Sequence, residues 1–377
     1  VLRFALKGER VADVPLVHID IDDQSLAALG RWPWPRSYHA KVTDILKECG
    51  ARQIVMDVLF TEEFRDAPQE DEVFAQALSR TGITYLPFYF VEPPPVLMPG
   101  LRELLLKDIT ISPEAAARSL GVGQVLLKES FPQAKKALLD EAVHDVLLAF
   151  PGIGIEALFE KIEEDRGWFL FPEDENYVRE HFSSQEASRL FFRKFAIAPS
   201  GKWPFQEEAR SQSVPIMAYT KAIKGGGFIN AASDIDGVTR SIPLFLKHED
   251  RIFPQLTVAA LLDLLEVKNI EARRGHIILR DARMGNALQD IRIPVDEKGS
   301  MFINWAGRWG VSFKHIPYYS VFRLQEVREE LARGAEGFNT DDRAYLKKTE
   351  QELVQKLTAM VKGKICQCAI KSPCAIQ

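Results

Sequence analysis

Two short apolar segments that run into acidic residues constrain the fold of this chain more than any other feature. Residues 16–21 and 53–60 are rich in β-branched side chains, which is typical of buried strands in a parallel sheet. Between them, residues 37–49 place apolar side chains on one side of a predicted helix that Gly50 ends. Strand, helix and strand over about forty residues predict a βαβ unit with a right-handed crossover.

Aspartates lie near the ends of both predicted strands. Asp20 and Asp22 follow the first strand, and Asp57 lies late in the second. Because the carboxyl ends of parallel strands meet at one edge of a sheet, we expect these carboxylates to gather where open α/β sheets bind ligands. The competing interpretation is a turn or helix cap, in which the carboxylates accept backbone N–H groups.

A catalytic interpretation of the acid pairs is the alternative hypothesis. Asp20 and Asp22 after an apolar strand resemble the motif of haloacid-dehalogenase-like enzymes, in which an aspartate nucleophile and a second aspartate hold magnesium. That motif ends in Thr or Val, where this chain has Gln24. Asp234 and Asp236 match it better, although only a short apolar run precedes them. This alternative is a magnesium-dependent phosphotransferase.

The segment RWPWPR at residues 31–36 combines two guanidinium groups with two indoles. Such side chains can pair with an anion or stack on a ring. The favoured interpretation is a proline-locked corner in which the tryptophans are core residues and the arginines pair with Asp20, Asp22 or Asp57. His39, one turn later, is predicted to be a packed helix residue.

Composition and charge exclude some classes of function. A net charge of −5, a pI near 5.9 and no basic run with interleaved aromatics give no sign of nucleic-acid binding. No segment has the roughly 18 to 20 uninterrupted apolar residues of a membrane helix. Because the sequence starts at Val1 rather than Met, we expect a segment of a longer protein whose anchor lies outside it. The spacing of Cys366, Cys368 and Cys374 lacks the paired sets of a structural zinc site, and no metal or cofactor is predicted.

The pattern of helices and strands changes twice along the chain. Residues 1–95 and 199–377 are predicted to be two parts of one α/β domain, whereas residues 96–198 contain repeated amphipathic helix candidates. We therefore predict an α/β fold with a largely parallel central sheet flanked by helices and interrupted by an all-helical insertion. Residues 325–357 are predicted to be a charged, solvated helix, through which a homodimer is a further hypothesis.

Five sequence blocks occur in a characteristic order: VHIDIDDQSLAALGRWPWPR at 17–36, CGARQIVMDVLFTE at 49–62, GFINAASDIDGVTRSIPL at 227–244, IPVDEKGSMFINWAG at 293–307 and HIPYYSVF at 315–322. Together they resemble the CHASE sensory domains of the second class, over roughly residues 10–92 and 213–322.

The chain departs from the pattern of this family at two places. The helical stretch is longer than the family pattern requires, and QCAIKSPC at 367–374 replaces the apolar continuation of the family's last strand, which is therefore expected to be truncated or altered.

The resemblance implies a periplasmic or extracellular ligand-sensing domain without catalysis of its own. Such a domain lies behind an N-terminal membrane anchor and ahead of a cytoplasmic cyclase, kinase or similar output. The expected partners are an unknown small-molecule ligand, the membrane through segments outside this chain, and a second copy in a homodimer, but no nucleic acid. From the predicted sheet edge, the candidate ligand-binding residues are Asp20, Asp22, Arg36, Asp57, Asp236 and Arg240.

Overall fold

The computed structural model describes residues 15–65, 67–91, 100–205, 211–231, 234–248, 250–304, 307, 312–333, 340–362 and 365–369. These residues form two compact units. Unit 1 contains the described parts of Val1–Tyr89, Phe195–Glu208 and Ala218–Gln377, and unit 2 those of Phe90–Lys194 and Ala209–Met217. The predicted mixed α/β class is confirmed, since helices and strands both occur throughout unit 1.

The strands of the described residues are numbered in chain order. They are β1 Leu16–Asp20, β2 Gln53–Asp57, β3 Thr84–Val91, β4 Ser211–Ser213, β5 Gly225–Phe228, β6 Ser241–Pro243, β7 Phe245–His248, β8 Arg251–Pro254, β9 Asn269–Arg273, β10 His276–Met284, β11 Ala287–Pro294, β12 Ser300–Phe302, β13 Lys314–Pro317 and β14 Ile365–Ala369.

The helices are numbered in the same way. They are α1 Asp23–Leu29, α2 Arg36–Glu48, α3 Gln69–Thr81, α4 Leu101–Lys107, α5 Pro113–Leu120, α6 Gln124–Ala149, α7 Ile155–Arg166, α8 Pro172–Phe195, α9 Met217–Ala222, α10 Leu256–Leu264, α11 Tyr318–Arg333 and α12 Thr340–Val361.

Within unit 1, the principal sheet has the order β13-β1-β14-β2-β3, and β5 also pairs with β3. These five pairings are parallel. The strand β14, which the sequence indicates is truncated or altered, lies between β1 and β2 and pairs with both over Ile365–Ala369. The first two strands of the chain are therefore separated by the last one. Three small antiparallel sheets complete the unit: β11-β10-β9, β12-β6 and β7-β8.

Both faces of this sheet are buried, and a helix covers one of them. On one face, Val55 and Tyr85 pack against Leu256 and Ala260 of α10. Val17, Ile19, Ile54 and Met56 alternate with the residues of that face and are at most 1% exposed. The sheet therefore has its apolar core on both sides, which is why β1 and β2 appear in the sequence as nearly continuous apolar runs.

The three glycines at 225–227 lie in strand β5. A Cβ atom on Gly227 would lie 2.5 Å from Cα of Leu256, and one on Gly225 would lie 2.4 Å from the ring of Tyr85. The glycines therefore allow α10 and the Tyr85 ring to approach the strand closely.

Unit 2 is mainly helical, with α4 to α8 surrounding an apolar core of its own. The longest helix of this unit, α6, begins at Gln124 and contains Pro132. Leu127 and Phe131, which precede that proline, are buried in the core, and their packing offsets the hydrogen bond that a proline removes. Residues 172–195 form one continuous helix, α8.

The charged stretch predicted as one helix over 325–357 is also different in the structure. It consists of α11 and α12, and residues 334–339 between them lie outside the described part of the chain.

Candidate functional site

Asp20 and Asp57 occupy the same transverse row of the principal sheet. Asp20 of β1 is in register with Ala369 of β14, which in turn is in register with Asp57 of β2. Residues in register on parallel strands project to the same face, and two strand spacings amount to about 10 Å. The two carboxylates therefore lie on one face, at the carboxyl ends of β1 and β2. We call these two residues the acidic row.

Asp20 is held by a histidine from the neighbouring strand. Its Oδ2 lies 2.7 Å from Nδ1 of His315, and both side chains are less than one fifth exposed. His315 is stacked on His18, with ring centroids 4.8 Å apart and ring planes 12° apart. His18 is buried, and its pKa is lowered by burial and by the charge of His315, whereas Asp20 acts in the opposite direction. The second carboxylate oxygen of Asp20, Oδ1, is buried and has no hydrogen-bond partner among the described residues.

Asp57 is the least engaged of the predicted acidic residues. It is half-buried, and burial raises the pKa of its carboxyl group. Within the described part of the chain it has no hydrogen-bond or ion-pair partner that would offset this cost. Its carboxylate is therefore the group at this edge with the most hydrogen-bonding capacity left for a ligand.

Asp22 has a local structural role. It is the N-cap of α1, and its Oδ1 accepts hydrogen bonds from the backbone N–H of Ser25 at 2.8 Å and from the Ser25 hydroxyl at 2.6 Å. The same hydroxyl accepts a hydrogen bond from the backbone N–H of Tyr319 at 3.0 Å. Asp22 is therefore a helix cap, as the competing interpretation of the acid pair proposes.

Arg36 is buried and pairs with an aspartate outside the predicted set. Its Nε lies 3.3 Å from Oδ1 of Asp71, and its guanidinium stacks 4.6 Å from the ring centroid of Phe60. Asp71 also accepts hydrogen bonds from the Tyr219 hydroxyl and from the backbone N–H of Phe64. The proline-locked corner is present, but Arg36 pairs with Asp71 rather than with Asp20, Asp22 or Asp57.

The two tryptophans of the corner differ in burial. Trp34 is 1% exposed and donates a hydrogen bond from its indole N–H to the Gly30 carbonyl at 2.8 Å. Trp32, which precedes a cis proline, packs edge-on against Trp34. His39 is packed in α2 as predicted, at 1% exposure, and burial followed by the charge of Arg36 lowers its pKa to about 3.

Asp236 and Arg240 bind each other in an exposed loop. Nη2 of Arg240 lies 2.6 Å from Oδ2 of Asp236, and Nη1 of Arg240 lies 2.5 Å from Oδ2 of Asp234. Hydrogen bonds from Arg240 and from the backbone N–H of Val238 lower the pKa of Asp236 to about 2. Both acids of this pair are therefore engaged by the arginine that follows them.

Sequence reasoning missed three residues that the structure places in these networks: His18, Asp71 and His315. His18 and His315 lie in two of the quoted blocks, VHID and HIPYY, so their presence in segments that resemble the family pattern was the available signal. Asp71 lies in a helical segment with three consecutive acids, and nothing in that pattern distinguishes the buried acid from its exposed neighbours.

No group of three or more His, Cys, Asp or Glu side chains in the described part of the chain is arranged to hold a metal ion. None of the helices that the structure describes combines the length and the apolar character needed to cross a membrane.

Comparison with known proteins gives one result. No curated protein and no solved structure matches the chain significantly. The family model of the CHASE2 domain matches residues 2–346. This match spans most of the 377 residues and includes the acidic row, the tryptophan corner and the Arg240 loop. The chain therefore belongs to the CHASE2 domain family, a family of extracytoplasmic sensory domains without catalytic activity.

Proposed function

We propose that this chain is the ligand-sensing part of a membrane-anchored receptor that controls a cytoplasmic output, such as an adenylate or guanylate cyclase or a kinase. The observation that carries the proposal is the CHASE2 match over residues 2–346. In this proposal the domain lies on the periplasmic or extracellular side of the membrane, is anchored by segments outside this chain, and catalyses no reaction itself.

We place the ligand, a small molecule, at the carboxyl edge of a largely parallel central sheet. The acidic row supports this position, because Asp57 and Oδ1 of Asp20 keep hydrogen-bonding capacity that no described residue uses. Ionised carboxylates only accept hydrogen bonds, so the ligand would present donors or a positive charge to them. Asp22, Arg36, Asp236 and Arg240 are proposed to brace the site and its surroundings through the contacts described above.

Signalling would follow from a shift between two arrangements of the domain. A ligand that binds one arrangement more tightly raises its population, and about 1.4 kcal/mol of differential binding changes the ratio tenfold. The strands that carry the acidic row flank β14, so a ligand held by both would act on the pairing of β14 with β1 and β2.

A thermal-shift screen tests ligand sensing directly. The purified domain would be heated with a panel of amino acids, amines, sugars and organic acids, and at least one compound should raise the melting temperature. The Asp57→Asn variant should lose that shift, whereas Asp44→Asn, which alters an exposed acid on α2, should keep it. A shift that survives in Asp57→Asn would move the ligand away from the acidic row.

The phosphotransferase alternative gains no support from the site. Asp20 is paired with His315, and Asp22 caps α1, so the two acids do not converge on one point. Magnesium-dependent hydrolysis of a generic phosphoester that disappears in Asp20→Asn or Asp234→Asn would nevertheless overturn the sensory proposal.

A homodimer through α11 and α12 is proposed as the assembly of the sensor. Light-scattering mass measurements over a range of concentrations check it, and a monomer throughout that range would contradict it.

A further inference from the structure

A cluster of two histidines and one carboxylate joins the edge strand β13 to β1. His18 and His315 occupy matching register positions on the two parallel strands, with their rings stacked at 4.8 Å. Nδ1 of His315 donates to Oδ2 of Asp20 over 2.7 Å. His18 is 6% exposed and also packs edge-on against Phe313. We propose that His18, His315 and Asp20 form a proton-responsive latch, which holds β13 against β1 at neutral pH and weakens that pairing in acid.

The single carboxylate of the cluster can neutralise one protonated imidazole ring but not two. When His315 is protonated, Asp20 provides the opposite charge at hydrogen-bonding distance. A second proton, on His18, would place two parallel imidazolium rings 4.8 Å apart with a single carboxylate beside them. Like charges at that distance in a poorly solvated site repel strongly. Burial and the neighbouring His315 accordingly lower the pKa of His18.

Two of the charges that act on His18 belong to the cluster itself, those of His315 and Asp20. On β14, the register position of His18 is occupied by the uncharged Gln367, and Asp57 lies two strands away from Asp20. Lys314 of β13 is exposed and lies on the opposite side of the strand from His315.

Two arginines of α11, the helix that follows β13, pair outside the cluster. Arg323 pairs with Glu326 and Glu330, and Arg328 pairs with Glu48 of α2 and Glu350 of α12. The cluster as defined contains one carboxylate, that of Asp20, for two imidazole rings.

Repulsion between the two histidines would act on the edge of the sheet, because one of them lies on its terminal strand β13. Among the strands that the structure describes, β13 is the terminal member of its sheet and pairs with β1 over four residues. It runs directly into α11, since Pro317 is followed by Tyr318. Weaker pairing of β13 would therefore loosen the start of α11. The latch is a property of the folded domain, and only its connection with signalling rests on the proposed sensory function.

Hydrogen exchange of the wild-type domain at pH 7.5, 6.5 and 5.5 tests the latch. Protection factors, corrected for the intrinsic pH dependence of exchange, would be compared for the amides of β13 and, as an internal reference, of β10. We expect the protection of β13 to fall between pH 7.5 and 5.5, because the pKa of His18 is lowered in the folded domain and its protonation therefore disfavours the paired state. The protection of β10 should change much less over the same range.

Two variants separate the cluster from a general effect of acid. His18→Gln should abolish most of the pH dependence at β13, whereas His276→Gln, which changes an exposed histidine on β10, should behave like the wild type. Constant protection of β13 in the wild type, or an undiminished loss in His18→Gln, would overturn the latch.

A wild-type measurement keeps the proposal testable if His18→Gln does not fold. In an NMR titration of the histidine ring protons, the midpoint of His18 should lie below that of a histidine in an unstructured peptide, because burial and the charge of His315 lower the pKa of His18. A midpoint equal to the peptide value would overturn the proposal. These readouts need neither a ligand nor an output domain, whereas the ligand-dependent melting shift tests the sensory function, so the two can fail separately.

Discussion

Arg36 and Asp71 form a buried ion pair that joins the first turns of α2 and α3. Nε of Arg36 lies 3.3 Å from Oδ1 of Asp71, and the two side chains are 10% and 8% exposed. The Tyr219 hydroxyl and the Phe64 N–H complete the coordination of the same carboxylate. Arg36, which ends the tryptophan corner, is therefore buried in the domain, where its ion pair holds the two helices together.

Removing the cation of this pair should destabilise the domain. Arg36→Met leaves the Asp71 carboxylate buried without its cation, and loss of one partner of a buried pair costs about 3 to 5 kcal/mol. Because Asp71 keeps two other hydrogen bonds, we expect a loss near the lower end of that range in urea denaturation. Arg80→Met is the matched control, since Arg80 and Asp44 form an exposed pair between the same two helices, and its cost should stay below about 1 kcal/mol. Equal losses for the two variants would contradict the role assigned to Arg36.

Acid should destabilise the domain through His39. Burial lowers the pKa of this imidazole from 6.5 to about 3 in the folded state, so the unfolded chain binds the proton more readily. The free energy of unfolding is therefore unaffected by His39 above pH 6.5 and falls by up to about 1.4 kcal/mol per pH unit from pH 6.5 down to about 3.

Urea denaturation at pH 7 and pH 5 checks the contribution of His39. The wild type should lose about 2 kcal/mol between these values from this residue alone. His39→Gln should reduce the loss and leave the smaller contribution of His18, which has the same sign because the pKa of His18 is also lowered. A pH dependence identical to that of the wild type would show that His39 is not the group responsible.

Gly227 should tolerate no side chain. A Cβ atom there would lie 2.5 Å from Cα and 2.6 Å from N of Leu256, both backbone atoms at the start of α10. We expect Gly227→Ala to cost about 2 to 3 kcal/mol, since the helix must move away from the sheet. Gly154→Ala is the control, because no atom lies within 4 Å of that position and its φ of −74° suits any residue. Thermal unfolding followed by circular dichroism measures both variants, and a harmless Gly227→Ala would refute the close approach.

The two acids Asp57 and Asp22 should respond oppositely to neutralisation. Burial raises the pKa of Asp57, so its ionised form opposes folding at pH 7, and Asp57→Asn should leave the free energy of unfolding unchanged or higher. Asp22→Ala should lower it by about 1 kcal/mol through loss of the α1 cap. Denaturation of both variants at pH 7 distinguishes the two roles. A large loss in Asp57→Asn would indicate that this carboxylate has a structural partner.

The helices of unit 2 should fold without the rest of the chain. Their buried residues form a core to which only unit 2 contributes, including Leu138, Val143 and Ile162. We propose that this unit is an independently folding insertion, and residues 100–195 expressed alone should give a helical circular-dichroism spectrum with cooperative thermal unfolding. A non-cooperative transition would instead show that the insertion depends on its host.

The sequence alone determined two things about this protein: the secondary structure of individual segments and the family that the chain resembles. Apolar, β-branched runs predicted β1 and β2, apolar spacing predicted α2, and a Ser, Thr, Asp or Asn before a helical run marks caps such as Asp22. The ordered blocks around the tryptophan corner were sufficient to suggest the CHASE2 family, because such segments are specific even without three-dimensional information.

Only the tertiary structure decided which distant residues meet. Asp20 and His315 are 295 residues apart in the chain, and Arg36 and Asp71 are 35 apart, so no periodicity connects either pair. The central position of β14 and the packing of α10 on the glycines of β5 likewise depend on contacts between remote segments. Sequence patterns report the environment that each residue prefers, whereas the partner that provides this environment is chosen by the packing of the whole chain.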